Sequence, residues 1–455
     1  MDLKKLLDKL YMNNDIKVRI IDNNIYIIYI ESICNTTTIN DFILRGIINK
    51  KVKNIKDINN NISDIQIKNV ESEDDFFLLL FQGFTIISIN NNFIAFETKE
   101  SLDSKIQEAS NEKSIKGPKD AFTENYQTNL GLIRKRIRSK ELVIKEYIKG
   151  NNSKTKIAII YMKNICKEEF VNKITKRINN INVDYVANSN YITEEINEKN
   201  SIMPTTYRTE RPDLVAYNIM NGKIAIVTEN TPDVILLPAL FKDYLHTIDD
   251  YYLNEKNVTV TRVIRLISLI FSLIIPGLYI SLTTFNHETL PISLLINFSI
   301  QKEGVPFPTS VEAILLWLIF EILKESDTRI PLAIGTSMSI VGAIVLGDAA
   351  ANAGLLSPIL IVIMAISSIS SFSFNDNDMV NSIRIWKLII IIFSSIVGIY
   401  GLFISVLLFI INICNTNSYG FDYISFNNQK DSILLTKKYK FNKRNCNLTN
   451  NYIRR

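Results

Sequence analysis

The chain has 455 residues and a formal net charge of +5, with 47% of its residues hydrophobic and 21% charged. That length is too great for one compact domain. The lysines are dispersed and no basic run is interleaved with aromatics, so the charge reads as a solvated surface and excludes nucleic acid as an expected partner.

The averages conceal a division. Residues 1 to about 258 are polar and rich in Asn, Lys and Ile, residues 263–414 are mostly apolar, and the chain from Asn415 is polar and basic again. The N-terminus runs through Leu3, Lys4 and Lys5 into a charged amphipathic stretch without the apolar core of a signal peptide. The first membrane segment is therefore expected to carry the insertion signal as well. Four cysteines, Cys34, Cys166, Cys414 and Cys446, lie far apart with no metal-binding spacing. This fits a reduced, cytoplasmic setting for the N-terminal half.

Within that half two blocks recur in the same order. Ile27-Ile28-Tyr29-Ile30-Glu31-Ser32-Ile33-Cys34 aligns with Ile159-Ile160-Tyr161-Met162-Lys163-Asn164-Ile165-Cys166, and each precedes a helix-like stretch, Thr38 to Ile48 and Glu168 to Ile178. Gln82 to Asn91 then matches Asn221 to Asn230, a Gly turn leading into a β-rich run and a polar turn. The pattern predicts two related α/β subdomains, 1–112 and 113–258, each a mixed sheet covered by helices. Residues 97–119 are charged, end in Gly117-Pro118 and read as a linker. From Asn125 to Lys145 helical spacing puts Leu130, Ile133 and Ile137 on one face. Arg134, Lys135, Arg136 and Arg138 make this helix basic and are candidate contacts to anionic lipid headgroups or to a partner.

Val263 to Leu282 has the roughly 20 apolar residues that a bilayer core requires. Pro276-Gly277 lies inside it, a break that neighbouring helices tolerate in a membrane. Arg262 and Arg265 at its start put the preceding half in the cytoplasm. Further apolar stretches are Pro331 to Leu346, Leu355 to Phe374 and Leu388 to Cys414. Pro291 to Ile300 is too short to cross, and Val311 to Leu323 carries Glu312 and Glu321, so it reads as a span, a re-entrant helix or an interfacial helix. The tail, 415–455, carries Lys430, Lys437, Lys438, Lys440, Lys443 and Arg444 and favours the cytoplasm, which requires an even number of crossings. Arg384 and Lys387 pull against that count. Four full crossings are the favoured reading and five the alternative.

Chemistry-bearing residues are few. His246 and His287 are the only histidines, and no GxSxG, HExxH, Walker A or GxGxxG motif occurs. No enzyme, cofactor or metal site is expected. Ionisable groups inside apolar segments normally face an interior or a water path. Glu312 and Glu321, nine residues apart, fall on nearly opposite faces of one helix and are not expected to share a site. Asp348 and Asn352 share a face. The small-residue run from Gly335 to Gly347 suits close helix packing or a narrow pore. In the second reading Val341, Ile344 and Val345 are gate candidates, with Asp348 and Glu312 as carboxylates that attract cations.

Many ordered blocks resemble the A subunit of the GerA-type spore germinant receptors: Gly117 to Phe122, Thr128 to Ile137, Arg208 to Asp213, Asn221 to Val227, Pro238 to Phe241, Asp249 to Tyr252, Glu303 to Pro308, Phe320-Glu321 and Ser339 to Ala343. The likeness runs from about residue 115 to about 425. It implies a subunit in the inner membrane of dormant endospores that works with a transporter-like B subunit, which binds the nutrient, and a lipoprotein C subunit. It further implies a homo-oligomeric ring forming an ion channel that nutrient opens. A SpoVAF-like sister branch supplies the alternative, a non-conducting scaffold that organises the B and C subunits. The chain departs from the family in having Asp348 and Asn352 where Gln and then Glu are usual, Trp317 in place of a Glu, and no Pro near Phe374-Asn375. The expected architecture is an α/β cytoplasmic N-terminal region of two related subdomains followed by an all-α polytopic transmembrane domain, 259–414.

Overall fold

The computed structural model describes residues 3–10, 12–22, 25–49, 66–100, 109, 112, 116–197, 201–247, 249–329, 349–374 and 376–424. The α/β region contains two five-stranded sheets. In the first, β1 (Ile16–Asp22), β2 (Ile25–Ile30), β3 (Ile67–Asn69), β4 (Phe84–Ile89) and β5 (Asn92–Glu97) lie in the order β1-β2-β4-β5-β3. In the second, β6 (Leu142–Lys149), β7 (Thr155–Met162), β8 (Tyr207–Thr209), β9 (Ile224–Thr228) and β10 (Val234–Leu237) lie in the order β6-β7-β9-β10-β8. The order is the same, and the two recurring sequence blocks fall on equivalent strands: β2 with β7, and β4 with β9. Every pairing in both sheets is antiparallel, not mixed. Helical connections carry β3 and β8 to the far edge of their sheets. The next helix returns the chain between two strands that both run the other way.

The helices begin where the sequence supplies caps. α1 (Leu3–Leu10) packs Leu3, Leu6 and Leu10 inward. After β2 come short turns, Thr36–Thr38, a π-helical Ile39–Leu44 and Arg45–Asn49. α2 (Glu73–Phe81) opens on a capping box between Ser72 and Asp75. α3 (Tyr126–Arg136) is capped by Asn125. It does not continue to Lys145, because Leu142-Val143-Ile144 is a β-type apolar run buried on both sides as part of β6. α4 (Glu168–Asn180), α5 (Ser189–Ile196) and α6 (Pro212–Met220) complete the second subdomain. Alternate strand residues face opposite ways. Leu142, Ile144 and Ile160 meet Leu130 and Ile133 of α3, while Val143, Ile157 and Ile159 meet Phe170 and Ile174 of α4. The second sheet is therefore covered on both faces.

The helical half comprises α7 (Glu255–Thr284), α8 (Ile292–Lys302), α9 (Thr309–Arg329), α10 (Pro358–Ser371), α11 (Asn377–Val397) and α12 (Ile399–Asn415), followed by a small hairpin of β11 (Asn417–Ser418) and β12 (Phe421–Asp422). The core beneath α3 runs on without a break into Leu269, Met379, Ile383, Trp386 and Phe409 of the bundle. Among the described residues two helices, α7 and α11, are long and apolar enough to cross a bilayer, and α10 and α12 are shorter apolar helices. The stretch Leu388–Cys414, expected to be one crossing, is two helices. Gly398 breaks it at φ +66°, where an added Cβ would stand 2.7 Å from the Phe285 side chain. α11 and α12 fold back on each other, so that Trp386 and Phe409 meet edge to face at 5.4 Å. The expected segment Pro331–Leu346 lies outside the described residues.

Candidate functional site

Two ends of the bundle can be told apart. At the near end, three sets of contacts tie it to the second subdomain. Asp250, fully buried in the turn Asp249–Tyr252, accepts from Arg262 Nε at 2.9 Å and from both Arg265 terminal nitrogens at 2.9 and 3.0 Å. The two arginines are three residues apart and share a face of α7. Burial alone would push the Asp250 carboxyl up, but the hydrogen bonds and charges of Arg265 and Arg262 hold it below the ordinary carboxylate range. Arg208 donates to both oxygens of Asp378 at 3.0 and 2.8 Å, and Ser382 Oγ donates to the Ile202 carbonyl at 2.6 Å. The hairpin after α12 returns to the same subdomain. There Ser418 Oγ donates to the Thr205 carbonyl, Tyr419 OH bonds Asn197, and Phe421 packs edge to face on Phe170 at 5.1 Å. The starts of α7 and α11 and the end of α12 are thus all tied to the second α/β subdomain and the turn that follows it.

Inside the bundle, α7 passes through Pro276 unbroken. Proline has no N–H, so the carbonyl four residues earlier, that of Ser272, loses its helical donor. Ser367 Oγ of α10 supplies the missing bond at 2.8 Å. Gly277 then permits close approach, since a Cβ there would meet Ser394 and Ile390 of α11 at 2.7 and 2.8 Å.

At the far end lies Glu312, fully buried near the start of α9. Its Oε2 accepts the backbone N–H of Ser357, the N-cap residue of α10, at 2.8 Å. A carboxylate is favoured at that helix N-terminus. Glu312 Oε1, the Tyr279 hydroxyl, Ser357 Oγ and Trp317 Nε1 are buried without a hydrogen-bond partner among the described residues. Glu321 instead pairs with Arg384 of α11. The two glutamates serve different helices, as their spacing predicts. Glu312 faces the interior of its own protomer, so its carboxylate is not on an outer face of this chain.

The other gate candidates, Val341, Ile344, Val345 and Asp348, lie outside the described residues. Asn352, which shares a predicted face with Asp348, is exposed. The basic helix gives a different result from the surface predicted for it. Arg134 is 1% exposed and makes a two-point ion pair with Asp15 of the first subdomain, at 2.9 and 3.0 Å, plus a bond to Asn13. Arg134 is four residues after Leu130 and therefore shares the buried stripe with Leu130, Ile133 and Ile137. Arg136 is half-buried and donates to both oxygens of Asp120. Lys135 and Arg138 are exposed, Arg138 beyond the helix end. Sequence reasoning missed the pairings Asp250–Arg265 and Arg208–Asp378. Their residues stood inside recognised blocks or flanks, but nothing local joins partners 15 and 170 positions apart.

The linker is pinned as well. The Glu112 carboxylate accepts from Thr209 Oγ1 and from the Glu210 N–H at 3.1 Å, on the β8 side of the second sheet. Burial pushes it up to about 7, against the pull of those hydrogen bonds.

Over residues 2–445 the chain matches the family described as Bacillus/Clostridium GerA spore germination protein. It is 34% identical over 407 residues to spore germination protein KA of Bacillus subtilis (strain 168), covering 88% of this chain and 75% of that protein. It is 29% identical over 407 residues to the uncharacterized membrane protein YfkQ of the same organism, covering 88% and 79%. The crystal structure of the N-terminal domain of the A subunit of the Bacillus megaterium spore germinant receptor GerK3 aligns at 25% identity with a TM-score of 0.38, covering 52% of this chain and 94% of that one.

Proposed function

This chain belongs to the GerA family of spore germination proteins, and from that membership we propose that it is the A subunit of a nutrient germinant receptor in the spore inner membrane. In this reading it has no catalytic role. It assembles with copies of itself into a nutrient-gated ion channel, alongside a transporter-like B subunit and a lipoprotein C subunit. The observation that carries the reading is the match along nearly the whole chain, joined to a bundle whose near end is locked to the α/β region by Asp250, Arg208 and the terminal hairpin. Such a lock lets movement of the cytoplasmic body tilt or turn α7, α11 and α12 together.

Among the described helices, the start of α7 and the end of α12 both lie at the near end of the bundle. α7 and α11 run from the near end to the far end, while α9, α10 and α12 run back, as Glu312–Ser357 at the far end and Glu321–Arg384 toward the near end indicate. α9 closes at the near end, and Ala350 packs with Leu356 and Tyr279 at the far end. Both chain ends then lie in the cytoplasm.

The test is ion flux from liposomes carrying the purified receptor complex. Nutrient-dependent flux supports the channel, and a complex that binds nutrient yet conducts nothing supports the scaffold reading instead. Val341→Ala and Val345→Ala are expected to make spores leak ions without nutrient. Spores of both variants that stay dormant and ion-tight would remove these residues from the gate.

A further inference from the structure

A cluster of cations lies between α9 and α11, about two turns inside the near end of the bundle. Lys387 is 4% exposed, and among the described residues its ammonium has no hydrogen bond or ion pair. Lys324 and Arg384 lie within its electrostatic reach. Arg384 is itself paired with Glu321. Lys387 is thus a buried cation with no paired carboxylate among the described residues, and a positive charge buried without a counter-ion is costly.

The cluster reaches the surface at two points: Arg384 keeps 30% of its side chain exposed, and Lys324 lies 6.0 Å above the ring of the exposed Phe372. Its depth follows from the fold. Arg384 is six residues beyond Asp378, about 9 Å at 1.5 Å per residue, and Asp378 is paired to the α/β body. Helical side chains lean toward the helix N-terminus. α11 starts at the near end, so the long stem of Lys387 carries its charge toward the headgroup level.

We propose that Lys387, Lys324 and Arg384 form a binding site for a phosphate monoanion, and that its occupant is the phosphodiester headgroup of an anionic phospholipid. The exposed Phe372 ring beside Lys324 gives a lipid's acyl chain an apolar contact, which a free phosphate does not need. Basic pockets between membrane helices bind anionic headgroups in this way. The proposal rests on the membrane reading given above.

The experiment uses the full chain in phosphatidylcholine vesicles with and without phosphatidylglycerol. Flotation first tests membrane insertion, and native mass spectrometry after gentle extraction then measures retained lipid. Wild type is expected to retain phosphatidylglycerol preferentially, undisturbed by excess inorganic phosphate. Lys387→Met and Lys324→Gln are each expected to weaken that preference about fivefold, and the pair roughly 25-fold, at about 1 kcal/mol per cation near a charged surface. Lys387→Met replaces an unpaired buried charge by an apolar side chain of similar length, so it is expected to fold, and its melting temperature checks this. A folded Lys387→Met chain with the wild-type lipid preference overturns the proposal, as does displacement of the lipid by inorganic phosphate. Insertion with no preference between the two lipids defeats the site alone. A chain that fails to float defeats the membrane reading with it.

Discussion

Ser367 Oγ donates to the carbonyl of Ser272, the one that Pro276 deprives of its helical partner. A hydroxyl from α10 thus repairs the break that makes α7 look discontinuous in sequence. Ser367→Ala is expected to destabilise the chain by about 1–3 kcal/mol, the cost of a buried carbonyl left unpaired. In a Pro276→Ala background, where the N–H returns, the same change is expected to cost far less. Melting temperatures of the four chains of this cycle in detergent measure the coupling, and additive effects would rule the repair out.

Arg134 and Asp15 join the two α/β subdomains through a fully buried ion pair. Asp15→Ala leaves the guanidinium without its counter-ion and is expected to cost about 3–5 kcal/mol. Arg134→Met with Asp15→Leu, which removes both charges, is expected to recover most of that. Thermal unfolding reports the difference, and limited proteolysis between the subdomains is expected to increase only in the single variant.

Glu112 makes stability depend on pH. Its carboxyl stands at about 7 in the fold against an ordinary 4.5, because burial favours the protonated form. Between those values the folded chain holds a proton that the unfolded chain releases, so stability falls as pH rises from about 4.5 to about 7 and then levels off. Glu112→Gln, neutral throughout, is expected to flatten this part of the profile. Melting temperatures across the window show it, and an unchanged slope would assign the dependence to other groups.

Asp250 holds Arg262 and Arg265 at the base of α7. Asp250→Asn keeps the hydrogen-bonding shape but strands two positive charges, and is expected to lower the melting temperature by several degrees. Spores carrying it are expected to lose most of their nutrient response while Glu255→Gln, at the exposed start of the same helix, leaves it intact. Germination measured by loss of optical density separates the two.

Much of the fold is legible along the chain because it is written in near neighbours. The recurring Ile-Ile-Tyr and Gly-turn blocks mark equivalent strands of two sheets with one strand order, and Glu312 and Glu321 part company as their spacing on a helix dictates. The stretch after Lys387 reads as one long span because hydropathy averages over Gly398. Only its positive φ, with Phe285 filling the space of the missing side chain, shows the turn between α11 and α12. Helical spacing continues to Lys145, but β-type packing on both faces of Leu142 to Ile144 overrides it and α3 ends at Arg136.

Sequence alone determined the division into polar and apolar halves, the duplication and the family, since each depends on composition, periodicity or ordered motifs. Tertiary structure decided which charges are partners. By sequence Arg134 is a headgroup contact, whereas in the fold it faces Asp15, 119 positions away; Arg262 and Arg265 read as topology markers, whereas in the fold they share Asp250. A charge's role is set by what neutralises it. In a folded chain that neighbour is chosen by which faces of sheet and helix are pressed together, a property no local pattern carries.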